Sequence, residues 1–521
     1  MTARVTFRHK RIWTGSSENP WTEALLVDDG RVVATGTDAL DAGADRVVDL
    51  PGTLVLPGLH DAHLHTGWLA EESAAVDLRE TRSLADALTL VEGYAAQLAP
   101  GADVRGGRWN RNRWSGPGPD RWALDSVTAG RVAVLPSVDG HSVWANSAAL
   151  AAAGITRSTP DPAGGEIERG PDGEPTGLLF DDAIDLLPEP EVDDAALRLA
   201  LERVQRDLLA VGLTAITDID GEPVRRAYAA MHAAGSLRLR VTKCIRDDDL
   251  EQAIGEGRRA GAGDDRMQVG PVKFFADGAL GSRTAHLTQP YLGQDSCGLV
   301  VTPYPILLQR IRMALEAGLD VCTHAIGDAA NRAVLDAYAQ VRPAFPDAIL
   351  RVEHAQHVLP DDVARFAGLH VVASMQPTHC TTDLEVVDSV IGSRPLRSYA
   401  WRSMLDAGVQ LAFGSDAPVE EPNPFHALHA AVTRQRGDGS PPGGWQPAER
   451  IPLDAALRAH TVGSWQAARR RDVGRLAPGQ LADLVCVDRD LWQLGRADPA
   501  VIRDTVVAQT WVGGELAYER G

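Results

Sequence analysis

Along the middle of the chain, short apolar runs alternate with stretches whose apolar residues recur at helical spacing. The runs cover residues 54–56, 212–218, 237–245, 269–278, 319–324, 349–354, 370–376 and 409–416. Helical spacing marks 193–210, 306–317, 328–340, 360–367 and 453–468. Short apolar runs bounded by turn signals predict buried strands. Strand-then-helix units in series predict a parallel sheet. If that sheet closes into a barrel, the residues at the C-terminal ends of its strands converge on one mouth.

The two ends of the chain read differently. Residues 4–8, 24–28, 31–35, 46–49 and 53–56 are strand-like and separated by turn signals such as Asp28-Asp29-Gly30. Residues 482–488, 505–512 and 515–518 are strand-like too, with Gly513-Gly514 as a hairpin signal. Between the first two barrel strands lies a long excursion, about 66–192. It holds a helix over 84–98, a Gly/Arg/Trp-rich stretch over 106–114, a strand over 131–136 and a Gly/Pro-rich stretch over 160–177. Residues 418–447 are rich in Pro and Gly and predict a loop over the mouth.

Several predicted strands end on residues that bind metals or carry protons. The first delivers His63 and His65 just after Pro57-Gly58. In an extended strand residues i and i+2 point the same way, so both imidazoles address one point. Imidazole suits zinc, iron and nickel. Lys273 lies inside the apolar run at 269–278, and His324, His354 and Asp416 end later runs.

This set resembles the amidohydrolase superfamily of metal-dependent hydrolases. Within it the resemblance is to the amidohydrolase-3 branch, which includes N-substituted formamide deformylases. Supporting phrases are Val138-Asp-Gly-His-Ser-Val-Trp-Ala-Asn-Ser147, Gly173-Glu-Pro-Thr-Gly177, the run from Val272 through Ala285, and Gly479-Gln-Leu-Ala-Asp-Leu-Val485. The resemblance implies a (β/α)8 TIM barrel over 57–470. It implies a small β-sandwich drawn from both ends, 1–56 and 471–521, and an insertion over about 66–192. It implies metal ligation by His63, His65, Lys273, His324 and His354, with Asp416 on strand 8. Lys273 would be carboxylated by CO2 to a carbamate that bridges two metals. The alternative is a plain lysine paired with an acid beside a single metal. Zinc is the expected divalent metal, one or two ions per chain.

Composition narrows the partners. The 521 residues are 44% hydrophobic and 23% charged, ordinary for a globular protein. Fifty-one basic against 71 acidic residues give a net charge of −20, which argues against nucleic acid and anionic membrane surfaces. The Arg/Trp-rich stretch at 105–114 is therefore expected in a lid or pocket wall. Five cysteines, at 244, 297, 322, 380 and 486, show no paired spacing, which fits a reducing compartment. No apolar leader follows Met1 and no run has the length of a membrane span, so the expected address is the cytoplasm. The expected partner is a small-molecule substrate. A homodimer is compatible with the chain, though no sequence feature argues for one.

The predicted activity is metal-dependent hydrolysis of a non-peptide C–N bond in a small amide or formamide. Asp416 would act as general base and then general acid. Ester, carbamate or cyclic amide hydrolysis, or deamination, could use the same ligands, since function resides in the pocket rather than the fold. A metal-free binding protein is the reading from a different class. His141 is a candidate for contact with substrate or oxyanion, and Asp277 and Arg283 for orienting substrate. Trp109, Trp114 and Trp144 would wall an apolar pocket or form core. His60, His286, His357 and His379 are weaker candidates, expected in supporting or core positions.

Overall fold

The computed structural model describes residues 4–73, 75–98, 101–137, 142–162, 165–181, 183–187, 194–281, 283–493 and 498–521. Eight strands form the central sheet: β1 (Leu59–Leu64), β2 (Leu213–Asp218), β3 (Arg240–Arg246), β4 (Met267–Phe275), β5 (Val321–Ala325), β6 (Leu350–His354), β7 (Val371–Met375) and β8 (Leu411–Phe413). They lie side by side in chain order, every neighbouring pair parallel. All residues of β1, β2, β6, β7 and β8 are buried, as expected where helices cover a parallel sheet. The end of β8 returns to β1: Asp416 N donates to His63 O at 2.7 Å and His65 N to Ala417 O at 2.8 Å. The sheet thus closes as a (β/α)8 TIM barrel.

Two glycines are set by close approach. A Cβ on Gly58 would meet Thr214 Oγ1 at 2.3 Å, and one on Gly414 would meet His63 N at 2.5 Å. Only glycine lets β2 pack against the entry to β1 and β8 against the strand that carries the histidines.

Both chain ends join one further eight-stranded sheet. Its order is Glu515–Glu519, Val507–Val512, Leu484–Val487, Leu54–Pro57, Val5–Trp13, Trp21–Asp28 and Arg31–Thr35, with Arg46–Asp49 also pairing to Val5–Trp13. Phe7, Ile12, Leu25, Val55, Leu484 and Trp511 form its core. A buried two-pronged ion pair ties it to the barrel: Arg240 Nε and Nη2 donate to the Asp483 carboxylate at 2.7 and 2.8 Å.

Residues 67–200 form a second compact unit. Its six-stranded sheet runs Gly165–Arg169, Pro175–Asp181, Ser142–Ala145, Ala133–Pro136, Val104–Gly107 and Val76–Asp77. Trp109 and Trp144 sit in its core with Val91, Leu124 and Leu135.

The helices differ from expectation in three places. Helix α1 spans Pro377–Val390, and helix α2 spans Pro424–Thr433 inside the stretch expected to be loop. Pro424 occupies the first turn of α2, where a missing N–H costs nothing, and Asn423 caps it by accepting from Phe425 N at 3.0 Å. The single helix expected over 453–468 is instead Leu453–Arg458 and Ser464–Ala467 joined by a wide turn over Ala459–Gly463. There a Cβ on Gly463 would strike Leu411 O at 2.1 Å. Among the described residues no helix is long and apolar enough to cross a membrane.

Candidate metal centre

His63 and His65 leave β1 on the same side, with ring centroids 5.8 Å apart. Each ring is held by its Nδ1. His63 Nδ1 lies 2.6 Å from Glu353 Oε2, and His65 Nδ1 lies 2.8 Å from Asp220 Oδ1. A carboxylate can only accept, so Nδ1 carries a proton and Nε2 is the atom left to offer a lone pair to a metal. His354 is held the same way, with Nδ1 2.9 Å from Gln376 Oε1. The Nε2 atoms of His63 and His65 both stand 3.4 Å from Asp416 Oδ1. Lys273 Nζ lies 3.5 Å from His63 Nε2.

Asp416 and His354 both have left-handed backbones, at φ 60° and 72°. Non-glycine residues seldom adopt that conformation unless their surroundings impose it. Here the strand-end turns carry the two side chains into the mouth.

The donor atoms fall into two groups, one of His63, His65 and Asp416, the other of His354, His379 and Asp416. Within each group all donor atoms lie within 4.8 Å of one another. His324 is beside them but turned away. Its ring packs 4.5 Å from that of His354, while its Nε2 lies 3.2 Å from Gly278 O and 3.5 Å from Asp277 Oδ1.

The electrostatics follow from burial and neighbours. Burial works to raise the Asp416 carboxyl, but His63 and His65 outweigh it and hold it well below the usual carboxylate range. Burial works to lower His65, and its bonds to Asp220 and Asp416 bring it up to about 9. His324 is pushed down to about 3 by burial and then by the charge of Lys273. Burial opposes ionisation of Glu353, yet Arg351 and His63 keep it well below the carboxylate range.

The other candidates are placed as follows. Trp109 and Trp144, read as pocket wall or core, are core: each is at most 3% exposed. Their indole N–H groups are satisfied by Leu135 O at 2.7 Å and Asp120 O at 2.8 Å. Asp277, read as a substrate contact, anchors backbone. It accepts from Ile326 N at 3.0 Å and from Gly327 N and His286 N at 2.8 Å. Burial, opposed by these bonds, brings its pKa up to about 7. Arg283 is exposed in a left-handed turn, its N–H donating to Leu280 O at 2.9 Å. His141 lies outside the described residues. His60 and His357 are buried on Thr217 Oγ1 at 3.0 Å and Ser398 Oγ at 2.9 Å.

The sequence reading passed over the groups that orient the histidines. Glu353 directly precedes His354, and Asp220 follows Asp218 at the end of β2 with the i, i+2 spacing of the histidine pair. Arg351 lies fully buried behind Glu353, with Nε 2.8 Å from Oε1 and Nη2 donating to Ala62 O at 2.8 Å. Such partners set tautomer and ring direction for metal ligands.

The donor set fits a divalent metal. Two donors on one tetrahedral ion at about 2.1 Å stand about 3.4 Å apart, which matches the Asp416–histidine separations of 3.4 Å. A closed barrel that gathers histidines, a lysine and an aspartate at its mouth is the architecture of a metal-dependent hydrolase.

The model of the Amidohydrolase family matches residues 46–518. The protein LONG AFTER FAR-RED 3 of Arabidopsis thaliana is 34% identical, over 97% of this chain and 90% of its own. The N-substituted formamide deformylase of Arthrobacter pascens is 31% identical over 97% of both chains. Among solved structures, an uncharacterized metal-dependent hydrolase from Pyrococcus furiosus superposes with a TM-score of 0.80 at 26% identity. That match covers 94% of this chain and 99% of the other. The chain belongs to the amidohydrolase family and is a metal-dependent hydrolase.

Proposed function

We propose that the enzyme hydrolyses a non-peptide C–N bond of amide or formamide type in a small molecule. The metal, zinc by preference, would be held by His63, His65, Lys273 and His354, with His324 joining them once its ring turns from Gly278 O, and with one or two ions per chain. The observation that carries the reading is Asp416 Oδ1, set 3.4 Å from both His63 Nε2 and His65 Nε2. A bound divalent ion supplies Lewis acidity and makes water a nucleophile near neutral pH. Asp416, kept ionised by the two histidines, takes the proton of the attacking water at a carboxylate oxygen. It then returns that proton to the departing nitrogen. Glu353, Asp220 and Gln376 hold the imidazoles still while this happens.

Lys273 supports the carbamate. It is 1% exposed, and among the described residues no carboxylate lies within 4.0 Å of its Nζ, which meets only His63 Nε2 and the Phe275 ring. An ammonium buried with no carboxylate in direct contact is costly. Carboxylation, in which the deprotonated amine takes up CO2 and releases a further proton, would replace that cation with an anionic carbamate offering two oxygen donors to a metal. For the C–N class, support comes from the formamide deformylase relative. Arg283 is retained as a substrate-orienting cation, because its exposure leaves the guanidinium accessible.

Metal analysis of wild type beside Lys273→Ala tests the centre, and a panel of formamides, amides, esters and carbamates tests the bond. About two metals per chain in wild type and fewer in the variant, with turnover of C–N substrates, is the expected result. Absence of metal in zinc-supplemented protein would overturn the metal reading. Turnover of esters alone would overturn the C–N class.

A further inference from the structure

His379 lies in the first turn of α1, directly after β7, and is 8% exposed. Its ring stacks on that of His354, with centroids 6.1 Å apart and planes 7° from parallel. Its Nε2 is buried and makes no hydrogen bond among the described residues. That nitrogen faces Asp416 Oδ2 at 3.7 Å. The separation is too long for a hydrogen bond. It is close to the spacing of about 3.4 Å expected of two donors sharing one ion. A buried polar atom without a partner is costly, so the position calls for something to bind it.

The Asp416 carboxylate thus has two faces. Oδ1 meets His63 and His65, while Oδ2 meets His379. His354 and His379 complete a donor group with Asp416 separate from that of His63 and His65. His324, the other ligand candidate on this side, turns its Nε2 to Gly278 O.

We propose that His379 Nε2 is a ligand of the metal centre, completing with His354 and Asp416 Oδ2 a second cation position beside that of His63 and His65. The assignment rests on the metal reading above and extends it to a residue outside the strand-end set. It makes Asp416 a bridge as well as a proton carrier. It also places one ligand on a helix, so that the end of β7 contributes through α1 rather than through the strand itself.

The test is cobalt(II) titration of the full-length metal-free protein, comparing wild type, His379→Ala and His379→Gln. Cobalt per chain and the visible ligand-field spectrum are the readouts. Wild type should bind two ions. Both variants should retain one tightly, and bind the second at least about 10-fold more weakly with a changed spectrum. Added imidazole should restore the spectrum of His379→Ala, which loss of a merely structural side chain would not allow. If the alanine variant is unfolded by circular dichroism, His379→Gln carries the comparison. Two ions with wild-type affinity and spectrum in the folded variants overturn the assignment while leaving the hydrolase reading intact. A wild type that takes up no cobalt overturns both.

Discussion

Asp220 offers the cleanest test of how the barrel tunes its histidines. Its Oδ1 accepts from His65 Nδ1 at 2.8 Å, so it fixes which ring nitrogen faces the centre. Removing it should not unfold the barrel. Lys243, the nearby buried cation, keeps its ion pair with Asp218 at 2.8 Å, and its other bond at this position is to the Asp220 backbone carbonyl, which survives substitution. The cost should therefore fall on the metal. A hydrogen bond to a charged group is worth about 1.5–3 kcal/mol, and loss of such orienting partners typically weakens metal binding by about 10–100-fold. Asp220→Asn retains an acceptor but loses the charge, and should sit near the lower end, about 10-fold. Asp220→Ala loses both, and should approach about 100-fold, or about 2.8 kcal/mol. The assay is zinc competition against a chelator of known affinity, with thermal melting of the metal-free proteins as a control. Wild-type zinc affinity in folded Asp220→Ala would refute the orienting role.

Three further outcomes are expected. Asp416→Asn at saturating metal should lower kcat by about 10²–10⁴-fold; near wild-type turnover would remove the proton-carrying role. Arg351→Met should strand Glu353, which it contacts at 2.8 and 3.1 Å with neither side chain exposed. That should destabilise the fold by about 3–5 kcal/mol, and an unchanged denaturant midpoint would show that the Glu353 charge is balanced elsewhere. Trp144→Ala should destabilise by about 3–5 kcal/mol, because it empties a fully buried site. Its metal content should be unchanged, and a raised KM at unchanged stability would return Trp144 to a pocket wall.

The strand ends were legible because their signal is local. A strand is an apolar run with a break at its end, and the residue at the break lands at the barrel mouth whatever the rest of the chain does. His63 and His65 could be paired by period alone, and the run ending in Asp416 stood out for the same reason. The helix over Pro424–Thr433 was hidden because Pro424 and the flanking glycines carry the same local signal in a loop as at a helix start. The tryptophans were ambiguous because a large apolar ring suits a pocket wall and a core equally; only their neighbours decide.

What tertiary structure alone decided is the pairing of side chains far apart in the chain. His63 is oriented by Glu353, 290 positions away, and that contact exists only because β8 closes against β1 and brings β6 across the barrel. The direction of the His324 nitrogen depends on a ring rotation, and the approach of His379 to Asp416 depends on how α1 leaves β7. Neither leaves a periodic trace. The sequence by itself determined which strand-end residues reach the mouth, because backbone period and strand length do so locally. The fold determined which nitrogen of each ring faces inward, because that choice belongs to the partner behind it.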